Sequence, residues 1–182
     1  MNNDLVFTPI RQLAELLKSR QISPMQLSEI FLDRLEQRGP SYNALTTLTR
    51  ERASRQAEQA EREILAGDYK GPLHGIPWGA KDLLATSDGI PTSWGAAPLK
   101  DQTFDFDATV VRRLEEAGAV LAGKLAMIEL AGGMGYRQPT ATFTGPPRNP
   151  WNRETWTGGS SAGSGAAVAA GLVPFAIGSE TG

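Results

Sequence analysis

The sequence predicts an α/β fold in which helices flank a mixed β-sheet, with a helical layer at the N-terminus. Residues 1–70 carry apolar side chains at helical spacing, and from residue 71 onward short apolar runs alternate with Gly and Pro clusters. A helical pattern over residues 108–117, ended by Gly118, leads directly into an apolar strand pattern at residues 119–122. A helix that leads into a buried strand is typical of α/β folds.

Three helices are predicted in the N-terminal layer. Residues 8–20 begin with Thr-Pro, a capping residue followed by a proline suited to the first helical position. Residues 23–40 begin with Ser-Pro, continue with apolar residues at helical spacing, and end at Gly-Pro. Residues 50–65 are rich in Ala, Glu, Arg and Gln with few apolar residues, which predicts a mostly solvated third helix closed by Gly67.

The remaining segments predict the rest of the α/β core. Residues 44–48 are a β-prone patch, residues 161–170 form a small-residue helix, and residues 172–177 form a second apolar strand. We divide the chain into an N-terminal helical layer, residues 1–70, and the N-terminal part of an α/β core, residues 71–182. Together they are expected to form one incomplete domain.

Composition excludes several classes of function for this segment. The chain has 182 residues, is 40% hydrophobic and carries a formal net charge of -2, as in ordinary globular proteins. Acidic and basic residues are interspersed, so no basic block could follow a phosphate backbone, and we expect no nucleic-acid binding by this segment alone. No apolar stretch reaches the roughly 18 residues of a membrane span. The N-terminus lacks a signal-peptide pattern, so a cytoplasmic location is expected.

The counts of Cys and His limit the available chemistry. The chain has no Cys and one histidine, His74, which excludes a disulfide, a thiolate nucleophile and a multi-histidine zinc site. A Ser-His-Asp triad could be built only around His74, and we interpret that residue as a structural hydrogen-bonding group beside Gly75. Hydrolytic chemistry in this segment therefore needs another base.

The most informative segment is residues 158–171, which read GGSSAGSGAAVAAG. Small residues permit sharp turns and close approach to a ligand, and the Ala-rich run predicts a helix whose N-terminus offers unpaired N–H groups. This geometry suits an oxyanion. A simple strand-to-helix turn explains the same pattern, so the segment alone leaves both alternatives open.

This segment is similar to the signature of the amidase signature family, usually written GGSSGGSxAAVAAG. The resemblance extends from about the first helix to the last residue of the chain, and it implies the mixed-sheet α/β fold of that family. Three other stretches agree with the family in order and spacing: Gly75-Ile76-Pro77 with Lys81-Asp82, a Gly123-Lys124 turn leading into a Met-Glu helix, and Asn149-Pro150-Trp151.

The resemblance implies a Ser-Ser-Lys triad. Lys81 corresponds to the catalytic lysine and Ser160 to the bridging serine, which in the family follows a cis peptide bond. The lysine must be neutral to accept a proton, and apolar neighbours such as Trp78 and Leu84 are compatible with a pKa lowered from about 10.4. Taken alone, Lys81 fits a surface lysine and Ser160 a cap or turn residue.

The nucleophilic serine of the family follows in the stretch G-[ST]-D-T-G-G-S, and this chain reads Gly-Ser-Glu-Thr-Gly at residues 178–182. By resemblance, the nucleophile is expected two positions beyond Gly182. Thr181 and Gly182 correspond to positions whose backbone N–H groups help to form the oxyanion hole. Glu180 stands where aspartate is commoner, a departure that we interpret as structural.

Further candidate site residues carry two interpretations. Ser161 and Ser164 either cap the helix and brace the loop or contact the reacting groups. Asp82 is interpreted as a hydrogen-bonding brace for the lysine loop rather than as an acid catalyst. A final set of candidates falls where the family places backbone groups that contact the substrate: Gly132, Gly133 and Met134. The two glycines equally fit a loop bend.

By resemblance, the protein would hydrolyse a small-molecule carboxamide through an acyl-serine intermediate, with no metal or organic cofactor. The alternative within the family is the glutaminase subunit of a tRNA-dependent amidotransferase, whose partners would be the other subunits; a homo-oligomer is the other assembly considered. Residues 132–144 lack the asparagine- and serine-rich stretch of that subunit, which favours the amidase. A third hypothesis is an incomplete, inactive fragment, because the chain ends inside a motif.

Overall fold

A computed structural model describes residues 5–132 and 137–180. Short 3₁₀ helices connect some of the longer elements, at Gly39–Tyr42, Ala97–Leu99 and Glu129–Ala131. The longer elements, in chain order, are α1 (Ile10–Lys18), α2 (Pro24–Arg38), β1 (Leu45–Leu48), α3 (Arg50–Ala66), β2 (Pro77–Lys81), α4 (Thr109–Glu116), β3 (Val120–Leu125), β4 (Arg148–Asn149), β5 (Asn152–Trp156), α5 (Ala162–Ala169) and β6 (Phe175–Ile177).

The main sheet has the strand order β1-β3-β2-β6. β2 pairs in parallel with both β3 and β6, whereas β1 pairs with β3 in the antiparallel direction. Every residue of β2 and β3 is buried, as expected for central strands covered on both faces. The mixed sheet with its flanking helices confirms the predicted fold class. The first 70 residues contribute β1 to this sheet as well as three helices.

The first two helices pack through the apolar positions that predicted them. Leu13 and Leu17 of α1 form a buried cluster with Leu27 and Phe31 of α2. Each of these side chains is fully buried. The helical spacing of apolar residues therefore identified the packed faces of both helices correctly.

The N-termini of these two helices differ. Ser23 and Gln26 form a reciprocal capping box at the start of α2, as its start signal predicted. At α1 the predicted cap is wrong, because Pro9 occupies the N-cap position and the helix begins at Ile10. The ψ of 141° at Pro9 is extended, which keeps that residue outside the helix.

The third helix, α3, exposes many polar residues but also buries an alanine face. Ala53 and Ala57 belong to the same buried cluster as Val120 of β3. Small side chains allow the helix to approach the sheet closely. Arg52 is 4% exposed and forms ion pairs with Asp107 at 2.7 Å and with Glu115 at 2.6 Å. The expectation of a mostly solvated helix missed this buried face.

The predicted turn at Gly123-Lys124 is wrong, since both residues lie within β3. A glycine is required at position 123 because the neighbouring strand approaches closely. A Cβ there would lie 2.9 Å from Leu45 Cδ1 and 3.1 Å from the Thr47 carbonyl oxygen. Glycine in this strand therefore marks a close contact rather than a turn.

Two other predicted elements near the site are shorter than expected. The Met-Glu helix is wrong, because only the 3₁₀ turn Glu129–Ala131 forms there and Leu130 has a φ of 53° that no regular helix accepts. The last strand is Phe175–Ile177 rather than residues 172–177. Leu172 N instead bonds to the Ala167 carbonyl oxygen and closes α5.

A second, two-stranded sheet precedes the glycine-rich segment. β4 and β5 pair in the antiparallel direction, and β5 leads into the loop before α5.

Across the described ranges, no helix is both long enough and apolar enough to cross a bilayer.

Candidate active site

Two serines contact one buried lysine. Lys81 is the last residue of β2, and its side chain is fully buried. Its Nζ forms hydrogen bonds with Ser160 Oγ at 2.7 Å and with Ser179 Oγ at 2.6 Å. Both distances are short for hydrogen bonds between nitrogen and oxygen. The structure therefore joins the two residues that the resemblance selected, Lys81 and Ser160, in one hydrogen-bonded cluster.

The position of Lys81 is set by a central strand. β2 lies between β3 and β6, and Lys81 is paired with Leu125 of β3. Directly after the strand, Asp82 N donates to the Leu125 carbonyl oxygen at 2.9 Å. The lysine thus lies at the carboxyl end of a parallel strand, which is where α/β sheets commonly bind their ligands.

Ser160 lies in the loop between β5 and α5. The Gly159-Ser160 peptide bond is cis, as the resemblance implied. The Ser160 carbonyl oxygen accepts a hydrogen bond from Ile128 N at 3.0 Å. Gly159 allows this close approach, because a Cβ there would lie 2.7 Å from Ile128 Cγ1. The loop is therefore held against the segment that follows β3.

Burial lowers the pKa of Lys81 from its ordinary value of 10.5, and the carboxylate of Glu180 opposes this shift. The cause is the loss of water around the ammonium form when the side chain is enclosed by protein. All the residues of β2 are buried, so the strand that ends at Lys81 is covered on both faces. A lowered pKa increases the fraction of neutral amine, which is the form that accepts a proton.

Ser161 and Ser164 brace the end of the chain rather than cap the helix. Ser161 occupies the N-cap position of α5, but its side chain makes no cap hydrogen bond. Its Oγ instead contacts Ser179 N and Ser179 O, each at 3.1 Å. Ser164 Oγ donates to the Ile177 carbonyl oxygen at 3.2 Å. The predicted bracing is present and the predicted capping by Ser161 is not, because its hydroxyl is occupied by Ser179.

Ser179 is the contact of Lys81 that the sequence reasoning missed. It follows β6, the parallel neighbour of β2, and parallel strands end at the same edge of a sheet. The presence of a polar residue at or just after the end of each strand, Lys81 and Ser179, could therefore have predicted their contact. Recognising it required knowing that β6 pairs with β2, which are far apart in sequence.

Asp82 makes contacts of the kind expected of a hydrogen-bonding brace for the lysine loop. Its carboxylate accepts a hydrogen bond from Ser93 N at 3.1 Å, and its Oδ2 also contacts the Ser93 hydroxyl. Its other oxygen lies 3.1 Å from Lys124 Nζ in a fully buried ion pair. The contact with a second buried lysine was not expected, because the sequence pattern indicated a turn at Lys124.

The remaining predicted contacts fall at or beyond the ends of the described segments. Gly132 ends the 3₁₀ turn and donates its N–H to the Glu129 carbonyl oxygen at 2.9 Å. That geometry is a loop bend, with the N–H already engaged. The other predicted substrate-binding residues lie outside the described residues: Gly133, Met134, Thr181 and Gly182.

Away from Lys81, the titratable side chains that the structure describes form no open set of metal ligands. Within residues 5–132 and 137–180, no three or more His, Asp and Glu side chains are grouped to hold a metal ion. His74 is buried, and its ring nitrogens contact Lys70 N at 3.1 Å and Glu63 Oε2 at 2.9 Å. Burial lowers its pKa, opposed by the Glu63 carboxylate. These contacts agree with the structural interpretation of this histidine.

One known protein family matches most of the chain. The sequence model of the family described as Amidase matches residues 26–182. The chain belongs to this family. The matched range includes the whole Lys81 cluster and the segment around Ser160.

Individual relatives of this amidase-family chain agree with that assignment. The A subunit of the glutamyl-tRNA(Gln) amidotransferase of Azoarcus sp. (strain BH72) is 44% identical over 178 residues, which is 98% of this chain and 36% of the relative. The solved peptide amidase of Stenotrophomonas maltophilia matches with a TM-score of 0.82 and 33% identity, covering 93% of this chain and 35% of that one. The chain thus spans little more than a third of the proteins that it matches.

A third comparison concerns assembly. A chain from the structure of a vestigial protein complex, described as revealing the evolutionary origins of an s-triazine catabolic enzyme, matches with a TM-score of 0.87 and 34% identity. The match covers 96% of this chain and 37% of that chain. At least one amidase-family fold similar to this chain is therefore found in a complex.

Proposed function

We propose that this chain is the N-terminal part of an amide hydrolase in which Lys81 is the base and Ser160 relays the proton. The observation that carries the proposal is the 2.7 Å contact between Lys81 Nζ and Ser160 Oγ in a buried site. In this proposal residues 1–70 are a helical layer on the amidase core, and residues 71–182 form the first part of that core.

The proton relay would operate in two directions. Neutral Lys81 takes the proton of Ser160, and Ser160 takes the proton of the attacking serine, so the nucleophile becomes more reactive without a histidine. Attack on the amide gives a tetrahedral intermediate, and the proton returns along the same path to the amine nitrogen as the C–N bond breaks and the acyl-serine forms. Burial supports this role because it lowers the pKa of Lys81 and so favours the neutral amine.

The nucleophile in this proposal is a serine two positions after Gly182, as the family motif around residues 178–182 implies. The backbone N–H groups of Thr181 and Gly182 would then stabilise the charge that develops on the substrate carbonyl. The backbone of Gly133 and Met134, with the carbonyl oxygen of Gly132, would supply further contacts to the substrate, since the Gly132 N–H is bonded to Glu129. The reaction releases ammonia or an amine and then a carboxylic acid by hydrolysis of the acyl-serine.

The test uses the intact polypeptide that carries this segment. We expect it to hydrolyse simple carboxamides and to react covalently with a serine-directed fluorophosphonate. Lys81→Met and Ser160→Ala should each lower kcat by at least a hundredfold, since general acid–base catalysis contributes roughly 10²–10⁴-fold. Ser41→Ala is the matched control, because its exposed hydroxyl bonds to the nearby Arg38 carbonyl oxygen at 2.8 Å. Full activity in the Lys81→Met protein would refute the proposal.

The second candidate is the glutaminase subunit of a tRNA-dependent amidotransferase. It is favoured by the 44% identity to a protein named as the A subunit of glutamyl-tRNA(Gln) amidotransferase. The partners would then be the other amidotransferase subunits. Glutaminase activity that increases when those subunits and charged tRNA are added would select this candidate, whereas equally fast turnover of simple amides alone would select the amidase. No turnover and no fluorophosphonate labelling under either condition would select an inactive segment.

A further inference from the structure

A second buried lysine lies next to the Lys81 cluster and has no role in the proposed proton relay. Lys124 of β3 is fully buried and is paired in register with Ala80, the residue before Lys81. Its Nζ lies 3.1 Å from Asp82 Oδ1 and donates to Thr92 Oγ1 at 2.6 Å. It also donates to Thr86 Oγ1 at 3.1 Å and to the Pro91 carbonyl oxygen at 3.2 Å. Asp82 Oδ1 is held by the ion pair rather than by a hydrogen bond among the described residues.

Asp82 links this ion pair to the backbone that carries Lys81. The two residues are adjacent in sequence, so fixing Asp82 restricts the end of β2. The Asp82 carbonyl oxygen accepts from Trp94 N at 3.1 Å, and its carboxylate accepts from Ser93 N at 3.1 Å. Both the main chain and the side chain of Asp82 are therefore held, and Lys124 neutralises the charge at the centre of this arrangement.

The same network reaches the support of Ser160. The Trp94 carbonyl oxygen accepts from Leu130 N at 2.8 Å. Two residues earlier, Ile128 N donates to the Ser160 carbonyl oxygen at 3.0 Å. The loop after β2 is thus bonded to the segment after β3, and that segment is bonded in turn to Ser160.

We propose that Lys124 is a positioning residue for amide hydrolysis: its ion pair with Asp82 fixes the end of β2, so that Lys81 stays within hydrogen-bonding distance of Ser160. The inference rests on the proposed function. Lys124 acts through Asp82 and does not touch the reacting atoms. A neutral pair of similar size would fill the same space but would hold the loop less strongly, because the attraction between two opposite charges is stronger in the protein interior than in water.

The test separates positioning from folding by removing one charge and then both. Lys124→Met alone leaves a buried, uncompensated Asp82 carboxylate, so this variant should be strongly destabilised. Adding Asp82→Asn removes both charges, and the double variant should recover most of the lost Tm; the remaining loss reflects the Lys124 hydrogen bonds to Thr86, Thr92 and the Pro91 carbonyl oxygen. We expect its kcat to stay roughly 10- to 100-fold low with KM unchanged, because a small displacement of a catalytic group costs that much. If the ion pair serves only to stabilise the fold, the double variant should have the kcat of the wild type.

A matched control comes from another buried ion pair. Arg52 and Asp107 lie 2.7 Å apart with side chains 5% and 15% exposed, and Arg52 also pairs with the more exposed Glu115 at 2.6 Å. Within the described part of the chain, neither Arg52 nor Asp107 hydrogen-bonds to Lys81 or Ser160. The double variant Arg52→Met with Asp107→Asn should keep wild-type kcat. An equal loss of kcat in this control would overturn the assignment of Lys124, because any buried charge pair would then have the same effect.

A second readout does not depend on turnover. Selective ¹³Cε labelling of lysine in the intact polypeptide gives an NMR signal for Lys81, assigned by its loss in Lys81→Met. We expect one sharp signal in the wild type and in the Arg52/Asp107 control, and a broadened or doubled signal in the Lys124/Asp82 double variant. Turnover of the wild type tests the proposed function, whereas an unchanged Lys81 signal in that double variant would overturn the positioning role even if no amide is hydrolysed.

Discussion

Ser161 holds Ser179 through both backbone polar groups of that residue. Its Oγ accepts from Ser179 N and donates to the Ser179 carbonyl oxygen, each at 3.1 Å. Ser179 Oγ in turn lies 2.6 Å from Lys81 Nζ. One hydroxyl at the start of α5 therefore fixes the segment after β6 against the buried lysine.

The first prediction concerns this hydroxyl. Ser161→Ala should lower the free energy of unfolding by about 1–3 kcal/mol, because Ser179 loses partners for both backbone groups. Under the proposed function, kcat of the intact polypeptide should fall about tenfold as Ser179 and the residues after it lose their position. Urea denaturation and steady-state kinetics measure the two effects. Unchanged values for both would show that Ser161 is dispensable, and Ser41→Ala serves as the surface control.

The second prediction concerns the charge of Glu180. Its carboxylate raises the pKa of Lys81 against the lowering caused by burial. Glu180→Gln removes that opposing charge, so the protonated lysine is less stable and its pKa falls further. The acidic limb of the pH profile of kcat/KM should therefore move to lower pH. An exposed carboxylate elsewhere on the chain, Glu154, provides the control as Glu154→Gln; a shift of the limb to higher pH in Glu180→Gln would contradict the expectation.

The third prediction links Lys81 to stability. Its pKa is lower in the folded state than the ordinary value of 10.5. Below pH 10.5 the unfolded chain therefore binds this proton more readily than the folded chain, and the free energy of unfolding falls as the pH falls. The stability of the wild type relative to Lys81→Met should accordingly increase as pH rises from about 7 to about 10.5. Taking the difference cancels other groups that titrate, including Lys124. Urea denaturation across this range gives the comparison, and a difference that is flat or declines with pH would be inconsistent with a lowered pKa.

The fourth prediction concerns the glycine before Ser160. Gly159→Ala would place a Cβ 2.7 Å from Ile128 Cγ1, and the resulting strain should cost roughly 1–3 kcal/mol of unfolding free energy. Gly165→Ala is the matched control, since a Cβ on that exposed glycine of α5 would meet no described atom within 4 Å. Alanine there should stabilise the helix by roughly 0.5–1 kcal/mol. Equal destabilisation of the two variants would show that the close contact is not what limits position 159.

Much of the fold could be predicted from local pattern. Periodic apolar residues located α1 and α2, and the Ser-Pro start identified the capping box of α2. Local pattern predicted the wrong structure where a glycine fits either a turn or a close contact between strands. Gly123 resembles a turn residue but lies in a central strand, because only a residue without a side chain fits against β1. Whether a glycine turns the chain or admits a neighbour depends on contacts that are distant in sequence.

The amino-acid sequence establishes which residue types are available for chemistry: one histidine, no cysteine, and a lysine and a serine in recognisable motifs. Which of these residues meet depends on the folded chain. Lys81 and Ser179 come together because β2 and β6 are parallel neighbours whose carboxyl ends share one edge of the sheet. Ser160 joins them from the loop before α5, which Ile128 holds in place. The pairing of Lys124 with Asp82 likewise follows from the register between β2 and β3. Strand order and register are set by packing of the whole sheet, which no local stretch of sequence encodes.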